Sequence, residues 1–364
     1  VKLKRYGAPL AILAAAAISL TACASNEGST PSTTTAAPSS LSGTLNGIGS
    51  SAQGTAQTTW IAGFQQANPK VTVNYDPQGS GAGRTSFISG AADFAGSDAA
   101  LKDTELSGTF AACAAGTKGI DLPVYISPIA IAYNVDGLKD LKLDAATIAG
   151  IFSGAIKTWN DPKIAALNSG ATLPSAAITV VHRSDDSGTT QNFTDYLAAN
   201  APDVWTKPAA QTFPYTVGDA AKGTSGVADA TKNAKNSITY IDESGSAGLS
   251  IAQLKVGDNF EKISAEGAAA VVAASPIASG RETNDLAIAI NRKDTTKGAW
   301  PLVLVSYVIA CQEYKDSAKA DLVKGYANYI VSDAAQKAAA EQAGSAPLSS
   351  DLASKVTKAI ASIK

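Results

Sequence analysis

Three times along this chain a short apolar run ends in a small, polar turn and passes into a helical pattern, and a fourth such turn closes another apolar run. Alternation of strand-like and helix-like hydrophobic periods restricts the backbone to an α/β architecture. Val71, Val73 and Tyr75 alternate with polar residues as a strand does. Ahead of them Trp60, Ile61 and Phe64 form one apolar helix face that Asn68-Pro69 should end. ITVVHR at 178–183 reads as a strand and NFTDYLAAN at 192–200 as the following helix. VYISPIAIAYNV at 124–135 and LAIAINR at 286–292 read as further buried strands. The tail after Tyr314 reads as helical through DLVKGYANYIVSDAAQKAAAEQA. Trp159, Trp205 and Trp300 stand in contexts that suit packing better than sugar stacking.

The turns carry the chemistry. Gly47-Ile48-Gly49-Ser50-Ser51-Ala52 leads into a helix beginning near Thr55, so its glycines and the helix start expose N–H groups beside the Ser51 hydroxyl. Gly79-Ser80-Gly81-Ala82-Gly83-Arg84 repeats the arrangement with Ser80. No acidic ribose partner follows it, which argues against a dinucleotide loop. Arg183-Ser184-Asp185-Asp186-Ser187-Gly188-Thr189 adds a guanidinium fork, two hydroxyls and a glycine that permits close approach. Asp185 is better placed there to support Arg183 than to meet an anion. Asp93-Phe94-Ala95-Gly96-Ser97-Asp98 supplies a carboxylate, which looks wrong for an anion site. An oxyanion that keeps one proton can nevertheless donate it to Asp98, whereas a fully ionised one meets only repulsion. Each turn alone is equally a capped helix or a solvated bend. Together they offer complementary parts of one coordination shell, which a buried oxyanion requires. No metal and no cofactor is called for.

The ends and the charge bound the setting. Lys2, Lys4 and Arg5 precede an uncharged apolar stretch, and Leu20-Thr21-Ala22-Cys23 closes it. The stretch is short for a permanent span and reads as a secretion signal over residues 1–22. Its end resembles a bacterial lipobox, with Cys23 as the lipid attachment point. Residues 23–41, rich in Ser, Thr, Ala and Pro, read as a flexible tether. Cys113 and Cys311 remain; an exported chain can join them, or they stay as two buried thiols. A formal net charge of -2 with no basic tract offers no surface for nucleic acid.

The ordered series LNGIGSS, QGSGAG, ADFAGSDAAL, PIAIAYN, IFSGAIKTWNDPKI, VVHRSDDSGTTQNF, YIDESGSAGL and WPLVLVSYVIA resembles the periplasmic phosphate-binding proteins of Pst-type ABC importers. The resemblance implies an α/β, type II periplasmic-binding-protein fold, two lobes with central β-sheets joined by a hinge. The lobes would comprise residues 42–126 plus 285–364 and residues 127–284. It implies phosphate contacts from Ser51, Ala52, Ser80, Asp98, Arg183, Ser187, Gly188 and Thr189, with Asp185 orienting the arginine. The family's first turn has Thr-Phe where this chain has Ser51-Ala52, which keeps a hydroxyl and removes bulk. The implied partners are inorganic phosphate, the membrane permease subunits of the importer and, through the lipid anchor, the outer face of the cell membrane; a monomer is expected.

Three other readings compete. A secreted phosphatase would need a nucleophile such as Ser187, but the single histidine, His182, has no evident relation to it. A receptor for sulfate or molybdate would share the loops but not the use of Asp98. A structural surface lipoprotein would bind no small anion.

Overall fold

In the computed structural model residues 41–364 are described; the leader, Cys23 and the tether up to Ser40 lie outside them. The first elements are β1 (Gly43–Gly49), α1 (Gly54–Ala67), β2 (Val71–Asp76), α2 (Ser80–Ile88), β3 (Phe94–Ser97) and α3 (Asp103–Leu106). The long β4 (Gly119–Asn134) is followed by β5 (Lys142–Leu143), α4 (Ala145–Phe152), α5 (Pro162–Leu167), β6 (Thr179–Arg183) and α6 (Gly188–Asn200). Next come β7 (Asp219–Ala221), α7 (Gly223–Asn233), β8 (Ser237–Asp242), β9 (Ser250–Ile251), β10 (Gln253–Val256), β11 (Asn259–Glu261) and α8 (Ala265–Ala273). The chain closes with β12 (Val303–Cys311), α9 (Ser317–Ile330), α10 (Asp333–Ala343) and α11 (Ser350–Ala361).

The main sheet is mixed and runs β2-β1-β3-β12-β4-β8-β6-β7, with β9 also on β4; β11-β10-β5 form a small separate sheet. Strand β4 joins two pairing regimes. Gly119–Pro128 lies antiparallel to β12, whereas Ile129–Asn134 lies antiparallel to β8. Fifteen of its sixteen residues are buried, in keeping with a strand covered on both faces.

Local sequence explains most elements. α1 buries Trp60 and Phe64 and ends at Asn68, as the Asn-Pro pair requires. Trp159, Trp205 and Trp300 are all buried, and Trp159 and Trp300 donate their indole N–H to the carbonyls of Asn236 and Ile129. Cys113 and Cys311 form a disulfide that pins a turn to the end of β12. Among the described residues no helix is long and apolar enough to cross a membrane.

One expectation needs correction. Residues 286–292 are not a strand, for they make only an isolated bridge between Ile277 and Ile288. Their backbone N–H groups find partners one at a time: Leu286 at the Asp121 carbonyl, Ile288 at the Tyr307 hydroxyl, Ala289 at the Pro276 carbonyl and Asn291 at Ser275 Oγ. Burial there is satisfied without a ladder, so an apolar run did not mean a strand. The C-terminal tail is helical but interrupted, because Ser332 caps α10 through the Ala335 N–H just after α9 ends.

Candidate functional site

Four elements deliver their turns to one place. β1 and β3 are paired in parallel, so Gly49 and Gly96 lie side by side and the turns that follow emerge together. The starts of α2 and α6 meet the same point from different strands. A Cβ on Gly188 would stand 2.6 Å from both Asp98 Cβ and Ser80 Oγ, so only glycine lets α6 come this close. Gly79, at φ +105°, faces Asp185, and a Cβ there would lie 2.4 Å from Asp185 Oδ2.

Asp98 is the centre of the cluster and is almost wholly buried. Its Oδ1 accepts hydrogen bonds from Ser50 Oγ and, at 2.5 Å, from Ser306 Oγ. Its Oδ2 has only the longer contacts to Ser80 Oγ at 3.4 Å and Thr189 Oγ1 at 3.3 Å. The Asp98 N–H donates to Ser80 Oγ, and Asn192 Nδ2 donates to the Asp98 carbonyl at 2.7 Å. Burial pushes the Asp98 carboxyl above the ordinary range, against the opposing hydroxyls of Ser306 and Ser50, the charge of Arg183 and the hydroxyl of Thr189.

Arg183 ends β6, and its Nε and Nη2 donate to Asp185 Oδ1 and Oδ2 at 2.7 and 2.5 Å, a fork-to-fork pair. The Gly223 N–H also donates to Asp185 Oδ1. Burial alone would raise Asp185; the hydrogen bonds and charge of Arg183, with the Gly223 N–H, outweigh it and hold the carboxyl below its usual range. Ser187 caps α6 by accepting from the Thr190 N–H, which leaves its own O–H to be donated elsewhere. Thr189 and Gly188 occupy the first turn of that helix.

The first turn is placed differently from the other three. Ser51 Oγ lies 3.0 Å from Thr224 Oγ1 and accepts from the Thr224 N–H at 3.1 Å. The Ala52 N–H donates to Ser50 Oγ. The structure thus brings Ser80, Asp98, Gly188 and Thr189 into direct contact, joins Arg183 to Asp185, and sets Ser51 against the start of α7. Ser50, Ser306, Asn192 and Thr224 escaped the sequence reading. Ser306 had a signal: it is the one strongly polar side chain within the apolar run VLVSYVIAC.

Further contacts close the cluster from outside. Arg84 ion-pairs with Glu105 at 3.0 Å and donates through Nη2 to Gln211 at 2.7 Å. The Gly81 N–H reaches the Asp186 carbonyl at 3.0 Å, and Lys222 meets Gln78. A cavity of about 530 Å³ lies beyond Ser51, lined by Gln78, Lys222 and Thr224. His182 stacks on Phe213 at 4.1 Å and its Nδ1 lies 2.9 Å from the Arg183 carbonyl, so it is no base for Ser187. Among the described residues no group of acidic, histidine or cysteine side chains is gathered to hold a metal. The arrangement suits binding without covalent chemistry: hydroxyls, helix-start amides and one guanidinium around an acceptor carboxylate.

Comparisons with known proteins bear on the family and the fold. A family profile described as the PBP superfamily domain matches residues 34–334. Over 337 residues the sequence is 37% identical to Phosphate-binding protein PstS 3 of Mycobacterium leprae, spanning 89% of this chain and 90% of that protein. Phosphate-binding protein PstS2 of Mycobacterium bovis strain BCG is 35% identical over 372 residues, spanning 100% of both. Among solved structures, a high-affinity periplasmic phosphate-binding protein bound with phosphate superposes with a TM-score of 0.70, at 24% identity over 86% of this chain and 93% of that one.

Proposed function

The chain belongs to the PBP superfamily and, within it, to the PstS phosphate-binding proteins, and from that premise we propose that it captures inorganic phosphate outside the cytoplasm and delivers it to an ABC-type importer. The observation that carries this reading is Asp98: a buried carboxylate among hydroxyls, with one oxygen already saturated by donors. Phosphate retains a proton near neutral pH that such an oxygen can accept, and sulfate has none. The remaining phosphate oxygens would be met by the hydroxyls of Ser51, Ser80, Ser187 and Thr189, the backbone N–H of Gly188, and the Arg183 guanidinium held by Asp185, while the Ala52 N–H is engaged by Ser50 Oγ. Several charge-assisted bonds of roughly 1.5–3 kcal/mol each can offset the loss of the anion's hydration.

Capture would involve two lobes, residues 42–126 plus 285–364 and residues 127–284, hinged where β4 exchanges β12 for β8. The change of partner at Pro128–Ile129 supports that division. The contacts Gly81–Asp186, Arg84–Gln211 and Ser51–Thr224 would join the lobes in the closed state. Phosphate that binds the closed state more tightly shifts the population toward it without making or breaking a covalent bond. Cys23 would carry the lipid anchor, the tether would let the body reach the permease subunits, and ATP hydrolysis would belong to the importer.

Calorimetry with phosphate, arsenate, sulfate and molybdate tests the reading. Saturable phosphate binding with sulfate far weaker is expected. Sulfate binding as tight as phosphate binding, or no anion binding at all, would overturn it.

A further inference from the structure

A line of buried side chains runs from α9 to Asp98, and its direction is fixed by groups that can act in only one way. Gln53 Nε2 donates to the Tyr307 carbonyl at 2.9 Å and to Ser306 Oγ at 2.7 Å. A backbone carbonyl only accepts, so the amide of Gln53 must present its NH2 on this side. Its oxygen then accepts from Gln57 Nε2 at 2.8 Å, and Gln57 Oε1 accepts from the Tyr326 hydroxyl at 2.7 Å. Ser306 Oγ, already receiving a proton from Gln53, directs its own to Asp98 Oδ1. Ser50 is oriented in the same manner, since the N–H groups of Ala52 and Gln53 point at its Oγ and leave its proton for the same carboxylate oxygen. All six residues are buried. Between Ser306 and Tyr307 the pairing of β12 with β4 shifts register, a feature that re-aims side chains.

We infer that Ser306, oriented by the chain Tyr326–Gln57–Gln53 and assisted by Ser50, is a positioning residue that saturates Asp98 Oδ1 and leaves Oδ2 as the one oxygen able to accept a proton from the bound anion. Two donors on Oδ1 leave no room there for a proton of the carboxyl's own, and they stabilise the ionised form against burial. Asp98 therefore reads the anion's protonation state through a single oxygen. The relay supplies the selectivity, and the carboxylate alone would not. The inference rests on the phosphate reading above.

Other charged and titratable groups face Asp98: Arg183 from β6 acts on it by its charge, while the charge of Asp98 in turn raises Asp242 at the end of β8, Tyr125 on β4 and Tyr75 on β2. A change at Ser306 leaves all four in place.

The test is phosphate and sulfate calorimetry on the unaltered protein, Ser306→Ala, Ser306→Thr and Tyr326→Phe. Removing the Ser306 hydroxyl makes Asp98 easier to protonate, and a protonated Asp98 can donate to sulfate. Ser306→Ala should therefore weaken phosphate about tenfold while strengthening sulfate several-fold, and the sulfate gain should grow as pH falls. Ser306→Thr keeps the hydroxyl and should restore discrimination to within about threefold of the unaltered protein. Tyr326→Phe, distant from the anion, should move both affinities in the same opposed directions by about twofold, and it decides the question should Ser306→Ala not fold. Affinities that fall together, or do not move, would overturn the relay. If the unaltered protein binds no phosphate, the underlying reading fails instead.

Discussion

Two aspartates of the candidate site meet opposite treatment, and on the proposed reading the contrast would explain how a site for an anion tolerates a carboxylate. Asp185, after β6, is matched to the fork of Arg183 and lies below the usual carboxylate range. Asp98, after β3, has no ion pair among the described residues; it is surrounded by hydroxyls, and burial lifts it above that range. The first carboxylate is part of a neutralised pair that fixes a cation. The second is kept able to receive a proton. Charge pairing and hydroxyl solvation, applied to the same kind of side chain, would make one a structural group and, on the phosphate reading proposed above, the other the discriminating group.

Four substitutions can break or sharpen this contrast. Arg183→Ala removes the cation whose charge acts on Asp98 and leaves the half-buried Asp185 with the Gly223 N–H but no countercharge, so phosphate affinity should fall by on the order of a hundredfold or more in calorimetry. Asp98→Asn replaces an acceptor with an amide whose NH2 can donate to a fully ionised oxyanion. It should cost about tenfold in phosphate affinity and narrow the gap to sulfate, and unchanged affinities would remove Asp98 from the mechanism. Asp185→Asn keeps the shape but weakens the fork, and about a threefold loss for phosphate with unaltered selectivity is expected. A change in selectivity there would erase the distinction between the two aspartates.

The smallest effect concerns a third buried carboxylate. Asp242 is raised to about 7, first by burial and also by the charge of Asp98, against donors from Ser244 and Ser127. Its folded value exceeds the unfolded one, so the folded state holds the extra proton in between. Stability should therefore decline as pH rises from about 4 to about 7. The Ser244 N–H, the Ser244 hydroxyl and Tyr125 all donate to Asp242 Oδ1, which an asparagine can imitate. Asp242→Asn should flatten that slope and raise the melting temperature at pH 8 by a few degrees relative to the unaltered protein. An identical pH profile would show that Asp242 does not titrate in this window.

The polar turns at the ends of β1, β3 and β6 were legible because glycine and serine at a strand-to-helix junction have few other uses. The pairing of Arg183 with Asp185 was legible as well, from a two-residue spacing in one turn. The apolar run at 286–292 misled because burial alone does not specify a ladder partner. Ser306 and Ser50 went unnoticed because they lie 256 residues apart in the chain, and neither turn nor strand announces that its hydroxyl meets Asp98.

What the sequence by itself determined is local: which segments form strands and helices, which turns expose donors, and which family the ordered motifs resemble. Those follow from periodicity and backbone preference over a few residues. Only the tertiary structure decided which oxygen of Asp98 is saturated and that Cys113 joins Cys311. It also decided that Ser51 faces Thr224 rather than the carboxylate. These depend on strands that pair across more than a hundred residues, where a shift of one register position would point each hydroxyl to the opposite face.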